Sequence, residues 1–215
     1  RDDGVPGVQT CPPPTSDVAE PPCFLAVTGT YHFVLGVFDN ESVESCEPGR
    51  VLVLVSPEGD IHVEMSWVTD GDPNPNDTGA GRGADVDLHF AREPGPWNES
   101  PNDTFWRNRG PGWGDSGDED DPSLDLDDTD GWGPENATLS DPEDGMIYRV
   151  GAYYYSDHNF GPSDVRVRIW IGEDLRFDAT YRNLRQHEFW DIARIEWPSR
   201  DISRVNLVTD GFPAW

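Results

Sequence analysis

Apolar and polar residues alternate with a period of two along most of this chain, and no Gly- and Pro-free stretch of ten residues carries a helical period. Ile61, Val63, Met65 and Trp67 fall on one face, with His62, Glu64 and Ser66 on the other. Val86, Leu88 and Phe90 repeat the pattern, which sets Asp85, Asp87 and His89 together on the opposite face. Leu124 and Leu126 are expected to point inward, with Asp125 and Asp127 outward. Residues 147–155, 165–171, 175–181 and 189–197 are further short runs rich in β-branched and aromatic residues and bounded by turns. Upstream, Tyr31, Phe33, Leu35 and Val37 alternate with His32, Val34, Gly36 and Phe38. Asp39-Asn40 then supplies a turn, and residues 51–55 are apolar enough for burial on both faces. The pattern predicts an all-β fold: an antiparallel β-sandwich, jelly-roll or immunoglobulin-like, preceded by a short immunoglobulin-like strand segment.

Composition sharpens the organisation. Of 215 residues, 22 are Gly and 20 are Pro, so loops should be long. Residues 1–22 read as an extended arm or linker, 23–56 as a partial strand segment and 57–215 as the main domain. Residues 91–122 form an acidic loop rich in Trp, Pro and Gly, far above the usual connection length. The net charge of -27 excludes partners that are themselves polyanions, such as nucleic acid and anionic lipid surfaces. All 15 basic residues are Arg, which fits a surface adapted to salt or to an extracellular setting. No segment reads as a membrane span or signal peptide, and a processed secreted chain would look the same. Cys11, Cys23 and Cys46 lack metal-type CxxC spacing, so a disulfide is expected, most plausibly Cys23 with Cys46. Triplets of the N-x-[ST] type at Asn40, Asn76, Asn98, Asn102 and Asn136 are read as chance in a loop-rich chain.

Chemistry concentrates in residues 124–136. Asp125, Asp127, Asp128, Asp130, Glu135 and Asn136 crowd a turn, and no Arg, Lys or His lies between Arg109 and Arg149. Carboxylates this close repel unless they are dispersed into water or neutralised by a metal. All-oxygen donors select a hard cation, with calcium favoured. Asp85 and Asp87 would complete the shell from their strand face, and Asp77 could join because its loop leads into Asp85. An EF-hand is excluded, since the twelfth position counted from Asp125 is Asn136 and from Asp127 is Thr138. The bland alternative is that these residues only cap turns. Asp70, Asp72 and Asn74 form a second candidate cation group, whereas the acidic run 115–121 reads as a solvated loop.

Signals for catalysis are thin. The histidines show no HxxxH or HExxH pairing, and neither GxSxG nor a P-loop occurs, so the chain is not expected to be an enzyme. His89 is expected at the surface. Trp97, Trp106, Trp113 and Trp132 lie on Gly- and Pro-rich loops and could stack on sugars or enter a partner protein. The competing reading folds them back as a lid over an open sheet face.

The ordered motifs A-D-V-D-L-H (84–89), D-L-D-D-T-D-G-W-G-P-E-N (125–136) and Y-R-V-G-A-Y-Y-Y (148–155) resemble the YfaP-type secreted β-sandwich domain found in myxobacterial surface proteins, over about residues 60–200. More distantly the chain is similar to bacterial pre-peptidase C-terminal domains, which are calcium-stabilised sandwiches. G-T-Y-H-F-V-L-G-V-F-D-N (29–40) resembles the closing hairpin of a PKD-type module. The resemblance implies a metal-binding sandwich, and no defined activity. Residues and resemblance together lead to the expectation of a secreted, calcium-stabilised sandwich acting in cell-surface adhesion or extracellular assembly, including as a fibre subunit. Its partners would be a protein or polysaccharide at the cell surface, or further copies of the chain. The alternative is a carbohydrate-binding accessory module.

Overall fold

The computed structural model describes residues 27–43, 47, 49–75, 81–114 and 117–214. The chain divides into two compact units, Arg1–Ser56 and Pro57–Trp215. All three cysteines and Asp77 lie outside the described residues.

In the first unit, strands β1 (Gly29–Leu35) and β2 (Gly49–Val55) pair antiparallel, with Gly29 opposite Val55 and Leu35 opposite Gly49. Tyr31 is buried and donates its hydroxyl to the Val27 carbonyl at 2.6 Å. Burial of residues 51–55 on both faces does not hold, because Val51, Leu52 and Leu54 are exposed, as are Val34 and Leu35. Among the described residues of this unit, two strands form a ribbon and no second layer covers it.

The second unit is an antiparallel β-sandwich. Its strands are β3 (Ile61–Thr69), β4 (Asp85–Arg92), β5 (Asp103–Thr104), β6 (Ser123–Leu124), β7 (Glu135–Leu139), β8 (Ile147–Ser156), β9 (Ser163–Ile171), β10 (Asp174–Leu184), β11 (Glu188–Glu196) and β12 (Asp201–Asp210). One sheet runs β10-β9-β3-β7-β6 and the other β12-β11-β8-β4-β5. The period-two residues do what alternation requires: Ile61, Val63, Met65 and Trp67 from β3 join Val86, Leu88 and Phe90 from β4 in one buried cluster with Val165, Val167 and Ile169. No helix occurs among the described residues.

Three features depart from the sequence pattern. Leu126 is exposed, because β6 ends at Leu124 and the chain has left the sheet by then. Glu135–Leu139 is a strand and not only the end of a turn. Asp201–Asp210 is an edge strand that the pattern missed, since both its faces are largely solvent-exposed and its polar residues blur the alternation.

The long loop between β4 and β6 folds back onto the sandwich. Trp113 is buried between Phe90 and Tyr148, with ring centroids 5.8 and 5.9 Å away, and donates its indole N–H to the Pro101 carbonyl at 2.6 Å. Trp97 packs on Phe189 at 4.9 Å and under the Arg149 guanidinium at 4.3 Å. Neither ring is available to a ligand, against their assignment as binding residues: Trp113 belongs to the main core and Trp97 to a smaller cluster with Ala91 and Phe189. Trp106 stays exposed, and Trp132 is half-buried with its carbonyl accepting the Trp67 amide at 3.0 Å.

Candidate cation site and adjoining cleft

The site forms where β4 loses its neighbour. β5 pairs only with Phe90 and Ala91, leaving the Asp85–His89 edge of β4 without a strand partner on that side. The turn between β6 and β7, in the opposite sheet, fills the gap. Gly83 and Gly131 permit the approach, because a Cβ on Gly83 would stand 2.1 Å from the Gly131 amide nitrogen. Gly131 itself has φ 83, a left-handed turn conformation.

Glu135 pins the two sheets together. Its Oε2 accepts the Leu88 amide from β4 at 2.8 Å and its Oε1 accepts the Asp128 amide from the turn at 3.0 Å. Complete burial, then the charge of Asp87, pushes its carboxyl well above the usual range, against the pull of both amides. Asp128 in turn accepts the Gly133 amide at 2.9 Å and the Asp130 amide at 3.3 Å, which shapes the turn; burial pushes it up to about 6.

Asp85 stands at the centre. It is 6% exposed and its Oδ1 is buried with no hydrogen-bond partner. Burial, followed by the charges of Asp87, Asp127, Asp128 and Asp130, pushes its carboxyl up to about 7. Asp87 is pushed up to about 6 by burial, partly offset by His89. Burial also raises Asp127, with Arg109 pulling the other way. That arginine lies outside the acidic run yet donates its guanidinium to the carbonyls of Leu124 and Asp125, so the run is less isolated from positive charge than its sequence implies.

Asp125 and Asn136 do not belong to this cluster. Asp125 Oδ1 accepts the amides of Leu126 and Asn136 at 2.6 and 3.0 Å, and its Oδ2 accepts the Asn136 side-chain amide at 2.8 Å. They clasp the turn's base, as capping residues do, and Asn136 alternates with Glu135 onto the other face of β7. In the second candidate group, Asp72 Oδ1 accepts the Asn74 amide at 2.9 Å, an Asx turn, while its Oδ2 is buried without a hydrogen-bond partner and Asp70 and Asn74 are exposed.

The residues brought together are therefore Asp85, Asp87, Asp127, Asp128 and Asp130, from one strand and one turn. Among the described residues, no group of three or more His, Cys, Asp or Glu side chains is placed so that it could hold a metal ion as it stands. By chemistry alone an all-carboxylate set favours a hard cation over a soft one, and the buried Asp85 Oδ1 lacks a hydrogen-bond partner.

Beside the cluster, on the outer face of the β4 sheet, Asp85, Asp87, Trp106, Asp127, Thr129 and Tyr155 line a cleft of about 190 Å³. Asp87, Trp106 and Tyr155 also border a second cleft of about 200 Å³ whose wall includes His89, Asn98 and Arg107. His89 is not a surface residue as expected. It is 1% exposed, stacked on Phe105 at 5.4 Å, and its Nδ1 lies 2.6 Å from Asp103 Oδ2. The same oxygen accepts the Asn98 amide at 2.6 Å. Sequence reasoning missed Asp103 and Tyr155; the 14-residue separation of His89 and Asp103 carries no periodic signal.

No protein-family model matches the chain, and no curated protein or solved structure shows significant similarity to it.

Proposed function

We propose that the second unit is a non-enzymatic β-sandwich, calcium-stabilised as the resemblance to YfaP-type domains suggests, and that it acts in extracellular adhesion or assembly. The observation that carries this reading is the Asp85 carboxylate, buried, without a partner on Oδ1, and faced by four further aspartates. A divalent cation there would remove the repulsion and tie β4 of one sheet to the β6–β7 turn of the other. Asp85, Asp87, Asp127, Asp128 and Asp130 would supply oxygens, with Glu135 holding the turn in place. Binding to the native state alone stabilises it by about 2.7 kcal/mol at a hundredfold excess over Kd. For a domain of this size that is a midpoint rise of roughly 5–10 °C.

The test is thermal unfolding with calcium and with chelator at matched ionic strength, for the native chain and for Asp85→Asn. The native chain should show the rise and Asp85→Asn should lose it, while gaining stability in chelator because a buried charge has gone. Equal midpoints of the native chain in calcium and chelator would leave the aspartates as turn caps and solvated acids.

A further inference from the structure

We propose that the two joined clefts form a binding site for a neutral saccharide, held between the rings of Trp106 and Tyr155 and read by Asp87, His89, Asn98 and Arg107. The inference rests on the cation reading, because Asp87 and Asp127 line the cleft and would otherwise repel or over-hydrate its centre.

Two large rings are left in water beside a polar floor: Trp106 is 44% exposed and Tyr155 is 55% exposed, whereas Trp97 and Trp113 on the same long loop as Trp106 are buried. Leaving apolar ring faces exposed has a hydration cost, and a ligand with apolar C–H faces removes it. The Trp106 ring is held in place. Phe105 meets it at 85° and 6.4 Å, and the Arg107 guanidinium lies 5.7 Å from each ring. Tyr153 forms the far wall, stacked on Phe212 at 4.6 Å. A rigid aromatic platform lowers the ordering cost of binding.

The polar groups suit hydroxyls. His89 Nδ1 lies 2.6 Å from Asp103 Oδ2, itself fully buried, so the ring is fixed in orientation in the wall of the cleft. Asp87 accepts, Arg107 donates, and Asn98 does both, which matches the paired donor and acceptor character of sugar hydroxyls. The net charge of -27 opposes the approach of an acidic polysaccharide. A peptide has no comparable need of alternating hydroxyl readers and ring faces.

The test uses the full chain in calcium, with affinity electrophoresis through gels containing a neutral glucan, mannan or galactan, and through one containing polygalacturonate as the acidic comparison. Retardation by at least one neutral polymer and none by polygalacturonate is expected. Trp106→Ala and Tyr155→Ala should each weaken binding about tenfold, the loss of about 1.4 kcal/mol of ring contact. Both variants should keep the calcium-dependent midpoint, since both rings are exposed and neither is a proposed ligand. Absence of retardation with the midpoint rise intact overturns the saccharide site and leaves the cation reading standing. Retardation unchanged in both variants overturns the cleft as its location. Retardation by polygalacturonate alone overturns the neutral-sugar assignment. A native chain that shows neither calcium response nor retardation overturns both readings, whereas retardation without a calcium response removes the cation reading and, with it, the dependence of the cleft on a bound cation.

Discussion

His62 and Asp85 are buried groups that bend stability in opposite directions over one pH window. His62 lies against Trp170, with ring centroids 5.5 Å apart, and neither ring nitrogen has a hydrogen-bond partner. Burial lowers it to about 4, with Asp125 pulling up and Arg168, paired to Glu64, pulling further down. As pH falls below 6.5 the unfolded chain takes up this proton first, so stability is lost between about 6.5 and 4, by about 3 kcal/mol in full. Asp85, raised to about 7, does the reverse. The unfolded chain releases its proton at lower pH than the folded one, so stability falls as pH rises toward 7. Asp87, Asp128 and Glu135 share that direction. In chelator the carboxylates outnumber the histidine, and the unfolding midpoint should rise as pH drops from 7 to 5. In calcium the carboxylates are held ionised, metal affinity weakens in acid, and the midpoint should fall over the same range. His62→Leu should make that fall shallower. Parallel curves in calcium and chelator would remove the cation from the account, and an unchanged slope in His62→Leu would remove the histidine.

At the scale of elements, the contact between β4 and the β6–β7 turn depends on two residues that touch no ligand. Glu135→Gln replaces one acceptor with a donor facing a backbone amide, leaving the amide of Leu88 or Asp128 unsatisfied. The expected loss is about 1–3 kcal/mol, read as a lower midpoint in chelator as well as in calcium. Gly83→Ala places a methyl against the Gly131 backbone and should displace the turn, weakening calcium affinity with less effect on the chelator midpoint. Gly112→Ala, where an added methyl meets nothing within 4 Å, is the matched control. If all three variants titrate calcium like the native chain, the turn does not carry the site. These elements also show what was legible beforehand. Alternation placed Asp85 and Asp87 on one outer face and Val86, Leu88 and Phe90 in the core, because strand parity is local. It could not say which members of the acidic turn meet them. Asp125 and Asn136 bind each other, and a turn with Gly131 and Gly133 at positive φ has no period from which a direction can be read. Nor could composition distinguish Trp97 and Trp113, which are buried, from Trp106, since that depends on how a 30-residue loop folds back.

For the whole molecule, the division at Ser56 and Pro57 separates a sandwich with a continuous core from a unit whose described residues form a ribbon with exposed Val34, Val51, Leu52 and Leu54. A two-stranded ribbon is marginal in water, whereas a closed two-layer core is self-sufficient. A fragment spanning residues 57–215 should therefore unfold cooperatively and keep the full calcium-dependent midpoint rise. The net charge of -27 opposes close approach of copies, and calcium bound to the acidic clusters relieves more of that repulsion than the same ionic strength of sodium. With the repulsion relieved, the apolar ribbon is the surface with most to gain from cover, so under the assembly reading the full chain should sediment as larger species when calcium and concentration rise together. The 57–215 fragment should stay monomeric under those conditions. Assembly of the fragment to the same extent would move the association surface onto the sandwich, and monomeric full chain at every calcium concentration would leave adhesion, without self-assembly, as the role of the cation-tied fold.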